Sequence, residues 1–222
     1  MYGINNAYHI VNILRPQTMS GALASDHVSM KGYNHADVII EVGAHGGSET
    51  SVVGFDQMTL VGTAGTTTLP LTDYYVSGGK IFVTNWNGIA WSDDEQVTGA
   101  TLSASLETFA GNYMTVFDMT TGVVAAETIT GGTSGATAVA VNAYEYEDVM
   151  IKRVVGSNTF TISAVDNVTY VVPVAATSFT DGYDVFHVDL GSPSGTILLS
   201  STAILYKGRY MGANTPISAI YD

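Results

Sequence analysis

Along most of this chain apolar and polar residues alternate one by one, in short runs separated by glycine, asparagine and proline. Asp37-Val38-Ile39-Ile40-Glu41-Val42 places Val38, Ile40 and Val42 on one side of an extended segment, the period of two that a half-buried strand needs. The same reading predicts strands over 8–14, 51–61 and through 73–76. It also predicts strands over Val149–Val155, Thr159–Ser163, Val168–Val174, Asp184–Leu190 and Thr196–Tyr206. Within Asp184–Leu190, Phe186, Val188 and Leu190 form a core face, while Val185, His187 and Asp189 form a wetter one. Arg15-Pro16 is expected to end the first strand, since proline cannot donate to a ladder, and residues 17–27 read as a surface connection. Glycines mark turns at 43–51 and 62–65.

Trp86-Asn87-Gly88-Ile89 is the sharpest local signal. Asn-Gly tolerates the positive φ of a type I′ turn, so Lys80–Trp86 is expected to pair with Ile89–Ser92. Helical periodicity is missing; Asp93–Leu106 comes nearest, and Gly99 with its β-branched neighbours argues against it. The expected fold is all-β, an antiparallel β-sandwich or jelly-roll-like core with an inserted small β-unit.

The insertion is read from a change of texture. From about Asp93 to Tyr146 threonine and small residues dominate, and Thr128–Val141 alternates threonine with aliphatics around a Gly/Ser turn, as a hairpin does. The expected division is a core of 1–79 and 150–222 with a hairpin-rich unit over 80–149.

Composition narrows the function by exclusion. The 222 residues are 46% hydrophobic, enough for a sizeable core without staples, and the absence of cysteine removes disulfides, thiolate metal sites and thiol nucleophiles. Seven basic against 20 acidic residues leave a net charge of −13, which repels a phosphate backbone, so no direct nucleic-acid partner is expected. No apolar run reaches the ~18–20 residues of a membrane span. The start, Met1-Tyr2-Gly3-Ile4-Asn5-Asn6, has neither a basic nor an apolar leader region. The expected setting is the cytoplasm, or a particle assembled there, with no membrane partner.

Candidate chemistry is sparse. His9, His27, His35, His45 and His187 fall in no HxH or HExxH spacing, so structural or exposed roles are expected for them. Asp93-Asp94-Glu95 lacks the glycine-bearing calcium loop and reads as a solvated turn. Ser77-Gly78-Gly79-Lys80 fits S-x-x-K, but its two glycines predict a loop rather than the helix that chemistry requires. No catalytic residue, cofactor or metal is therefore expected. Trp86 and Trp91 suit cross-strand aromatic pairs, with a carbohydrate-stacking surface as the alternative. The locally basic Tyr206-Lys207-Gly208-Arg209-Tyr210-Met211 has the residue types enriched at protein interfaces. Tyr206, Arg209, Tyr210, Met211, Trp86 and Trp91 are the candidate interface residues.

Two stretches carry a resemblance. The first runs from Tyr8-His9-Ile10-Val11-Asn12-Ile13-Leu14 to Ser25-Asp26-His27-Val28-Ser29-Met30-Lys31-Gly32-Tyr33-Asn34-His35. The second includes Asn158-Thr159-Phe160-Thr161, Thr169-Tyr170-Val171-Val172, Asp181-Gly182-Tyr183-Asp184, Gly191-Ser192-Pro193 and Gly208-Arg209-Tyr210. Together, over roughly 8–76 and 150–215, they resemble tailed-bacteriophage head-associated or capsid-decoration (cement) proteins. The resemblance implies a non-enzymatic virion protein on the capsid surface, assembled in the host cytoplasm. Its implied partners are the major capsid protein and further copies of itself, as a trimer. It implies nothing for residues 80–148. A phage tail or head–tail connector ring component and a carbohydrate-binding adhesin module stand as alternatives.

Overall fold

A computed structural model of the chain describes residues 8–59, 66–121, 123–141, 149–155, 157–208 and 220–221. The fold is all-β. In chain order the strands are β1 (Tyr8–Met19), β2 (Leu23–Ala24), β3 (His27–Ser29), β4 (Tyr33–His45), β5 (Ser51–Met58) and β6 (Thr67–Thr68). There follow β7 (Asp73–Thr84), β8 (Gln96–Thr98), β9 (Ser103–Ala110), β10 (Tyr113–Thr121), β11 (Thr128–Gly131) and β12 (Thr137–Ala140). The last are β13 (Val149–Val154), β14 (Phe160–Ile162), β15 (Val168–Ala175), β16 (Val185–Leu190), β17 (Ile197–Gly208) and β18 (Ile220–Tyr221). Among the described residues one 3-10 turn, Ala176–Ser178, interrupts them. The chain divides into two compact units, Met1–Tyr74 with Arg153–Asp222, and Tyr75–Lys152.

The first unit contains two antiparallel sheets. One runs β1-β17-β4-β15, and the other runs β14-β5-β16-β3-β18 with β2 on β16 and β6 on β5. Val38, Ile40 and Val42 are buried as their alternation requires, and so are their neighbours Val172, Tyr170, Ala203 and Leu205. In the second sheet Phe55 and Phe186 are wholly buried with ring centroids 5.9 Å apart. Tyr74 stacks on Phe160 at 4.2 Å, beside Tyr170.

Two expectations for this unit need correction. β1 does not stop at Arg15-Pro16 but continues to Met19, with its register slipping between Asn12 and Leu14 and again between Leu14 and Gln17. Proline is tolerated because among the described residues β1 pairs only with β17, and the irregularity passes over Arg15 and Pro16. The second face of β16 is also drier than its polarity suggests: Val185 is 4% exposed and His187 9%.

The second unit is a closed barrel. β7 pairs with β10, β10 with β9, β9 with β8, β8 with β11, β11 with β12, and β12 returns to β7 through Val139↔Thr84 and Ala140↔Val83. Ile81, Val97, Leu106, Met114, Val116 and Ile129 fill the interior together with Ala104, Ala138 and Ala140. So narrow a ring leaves room for large side chains only where small ones face them, which accounts for the alanine-rich texture of this stretch.

The barrel also overturns two local expectations. Ser77-Gly78-Gly79-Lys80 lies within β7, not in a loop. A Cβ at Gly78 would meet the Val116 carbonyl oxygen at 2.5 Å and press on Ile151 Cδ1, so glycine is there to let strands approach. The Trp86–Ile89 hairpin does not form. β7 ends at Thr84 with its edges already held by β10 and β12, so a strand over 89–92 has nowhere to pair. Asn85 and Gly88 take positive φ, and the Asn87 carboxamide oxygen accepts the Ile89 N–H at 3.2 Å, folding the segment into a side-chain-braced loop.

Candidate functional site

The chemically distinctive residues of the barrel are two buried carboxylates, Glu95 (4% exposed) and Glu127 (6%). Each sits just after a tight turn whose third residue, Asp94 or Ala126, has positive φ. Glu95 Oε1 accepts the Ser92 N–H at 2.8 Å and the Ser134 hydroxyl at 2.7 Å, while Oε2 accepts the N–H groups of Thr133 and Ser134 at 3.1 and 2.9 Å. Glu127 Oε1 accepts the N–H groups of Thr101 and Leu102 at 2.6 and 2.9 Å, while Oε2 accepts the Val124 N–H at 2.9 Å and the Thr101 hydroxyl at 2.8 Å.

The two sites are copies of one arrangement. Glu95-Gln96-Val97-Thr98-Gly99 recurs as Glu127-Thr128-Ile129-Thr130-Gly131, and β8 and β11, which carry the two copies, pair antiparallel with Thr98 opposite Thr130. Each glutamate reaches across to the loop that follows the other copy's glycine. Glycine is required at both places: a Cβ on Gly131 would lie 2.5 Å from Glu95 Oε2, and one on Gly99 would enter the Glu127 carboxylate.

Burial alone would raise both carboxyl pKa values. For Glu95 the hydrogen bonds from Ser134, Ser92 and Thr133 outweigh it, and for Glu127 those from Leu102, Val124 and Thr101 do, so both groups are held below the usual range. They stay ionised and tie loops. With every oxygen already accepting hydrogen bonds, they have no free lone pair aimed at a substrate.

The expectation of a solvated turn at Asp93-Asp94-Glu95 therefore applies to its first two residues, which are exposed, and fails for the third. The signal that would have found these glutamates is the E-x-[V/I]-T-G repeat, with a glycine where each carboxylate must fit.

Trp86 and Trp91 are brought together over Phe109, with centroids at 5.4 and 5.8 Å. This is a cluster at the end of the barrel, not a pair across a hairpin. Trp86 is 47% exposed and its Nε1 donates to the Ile89 carbonyl at 2.7 Å. Trp91 packs against the core. Tyr206 lies in the other unit, stacked on His35 at 5.5 Å, with its hydroxyl donating to Asp37 Oδ1 at 3.3 Å. Burial, then the Asp37 charge, raise its pKa. Arg209, Tyr210 and Met211 lie outside the described residues.

The histidines are dispersed. His9 Nδ1 is 3.0 Å from the Tyr33 hydroxyl, His35 stacks on Tyr206, and His45 Nδ1 is 3.0 Å from Asp166 Oδ1. His27 and His187 meet edge to face at 5.1 Å. Among the described residues no three His, Cys, Asp or Glu are grouped to hold a metal.

His187 carries a consequence for acid stability. Its Nδ1 is buried without a hydrogen-bond partner. Burial, then the nearby His27, lower its pKa, against opposing pulls from Asp56 and Asp189. The folded chain thus binds fewer protons here than the unfolded chain does. Its contribution is complete above about pH 6.5 and declines as pH falls below that. His187→Leu is expected to flatten the fall in urea midpoint between about pH 6.5 and 5; an unchanged slope would assign the acid sensitivity elsewhere.

Against known proteins, the chain matches no family model, no curated protein and no solved structure.

Proposed function

We propose that this chain is a non-enzymatic bacteriophage virion protein that binds the major capsid protein lattice and reinforces the shell, in association with further copies of itself as a trimer. One observation carries the reading: the stretches that resemble capsid-decoration proteins, which precede and follow the barrel in the sequence, fold as one unit of packed antiparallel sheets. The use of buried polar groups agrees with it. Gln57, Ser25, Ser51, Glu95 and Glu127 all hydrogen-bond backbone, holding loops in place, as a protein acting through surface shape requires.

A ligand that binds only the expanded shell stabilises that state by mass action. Particles carrying this protein are expected to rupture at a higher temperature than particles stripped of it, with density for the protein on the capsid exterior. Identical rupture temperatures and no such density would end the proposal. The carbohydrate reading is weaker, because Trp91 is packed inward with Nε1 buried, leaving Trp86 as one exposed indole.

A further inference from the structure

We infer that the first half of β1 is a self-association edge, where two copies of this chain pair antiparallel about a twofold axis through Ile10. β1 ends its sheet, and among the described residues its only strand partner is β17. Sheet edges are ordinarily guarded by charge, proline or bulges. In β1 those devices, Arg15, Pro16 and both slips of register, lie in the second half of the strand. Tyr8–Asn12 pairs in unbroken register with Thr202–Tyr206 and has none of them. Among the described residues no strand covers its other side, about 17 Å of backbone edge at ~3.4 Å per residue. Of its outward side chains Ile10 is 60% exposed and Tyr8 52%, and the third is the uncharged Asn12.

The charge distribution selects the occupant. Two copies of a chain with net charge −13 repel wherever acidic surfaces meet. Tyr8 through Leu14 bear no formal charge, and neither do Thr202, Ile204 and Tyr206 opposite them on β17. This edge therefore lets copies meet without placing like charges face to face, and it offers a basic partner nothing to pair with.

The register follows from the unbroken stretch. Its midpoint is Ile10, so the twofold places Ile10 against Ile10 and Tyr8 against Asn12, continuing one sheet through both protomers. This is an isologous contact, distinct from any threefold contact made elsewhere on the surface.

With trimer assembly proposed on the capsid lattice, the full chain alone in solution at tens of micromolar is expected to sediment at twice the 23.3 kDa chain mass. Ile10→Lys should weaken that association at least tenfold while leaving the circular dichroism spectrum unchanged. The chain lacks cysteine, so Ile10→Cys gives an unambiguous second readout. Mild oxidation should convert it to a covalent dimer well before Val154→Cys, at the most exposed large apolar side chain among the described residues, 82% exposed. A monomer throughout, an oligomer indifferent to Ile10→Lys, or equal cross-linking of the two cysteine variants would each overturn the inference. The virion proposal is unaffected by any of these.

Discussion

Glu127→Ala is expected to destabilise the barrel by about 3–5 kcal/mol, a large share of the ~5–15 kcal/mol by which folded domains are usually stable. The loss is not that of one charge. Removing the carboxylate strands the buried N–H of Leu102 and takes the partner from the part-buried N–H groups of Thr101 and Val124. Glu127→Gln should cost roughly half as much, because one oxygen survives while the new amide N–H faces the Val124 donor. Glu95→Ala should resemble Glu127→Ala, since it strands Ser92, Thr133 and Ser134. The chain has two tryptophans, Trp86 and Trp91, and both lie in the barrel, so their fluorescence in a urea titration follows this unit directly. Acid should act in the same sense. With both folded pKa values depressed, the glutamates' contribution is complete above about pH 4.3 and declines as pH falls through the folded values. A wild-type-like midpoint for Glu127→Ala would show that the donors find other partners.

Gly78→Val should cost about 3 kcal/mol or more, for a different reason. The obstruction includes the Val116 carbonyl oxygen across the β7–β10 pair, and a backbone atom held in a ladder cannot turn aside as a side-chain end can. Gly21→Ala is the matched control. Nothing lies within 4 Å of its added carbon and its φ is ordinary, so a gain of about 0.5 kcal/mol is expected from a less flexible unfolded chain. If Gly78→Val and Gly21→Ala melted together, close strand approach at Gly78 would not be what this position provides.

Much of the fold was legible because burial follows alternation. Val38, Ile40 and Val42 announce their side of β4, and Thr128–Val141 announces β11 and β12, which pair as Thr128↔Val139 through Thr130↔Thr137. The failures share a cause: local signals give a conformation but not a partner. Asn-Gly marks positive φ near residue 88, yet whether a hairpin follows depends on β10 and β12 having already taken both sides of β7. Pro16 forbids a ladder bond but cannot reveal that β1 stands at an edge. Asp93-Asp94-Glu95 reads as uniformly wet because charge is counted residue by residue, whereas the loop that encloses Glu95 lies at Thr133 and Ser134. For the proposed interface, Trp86 and Trp91 were legible as aromatics and not as a cluster, since Phe109 completes it from a distant strand.

The exchange of carboxylates between the two halves of the barrel bears on how the chain is made. Synthesis delivers Thr101 and Leu102 before Glu127, and Glu95 well before Thr133 and Ser134. Neither loop can settle while the ribosome is still within the second copy, so the nascent barrel has no durable half-built form and should snap shut only once both copies have emerged.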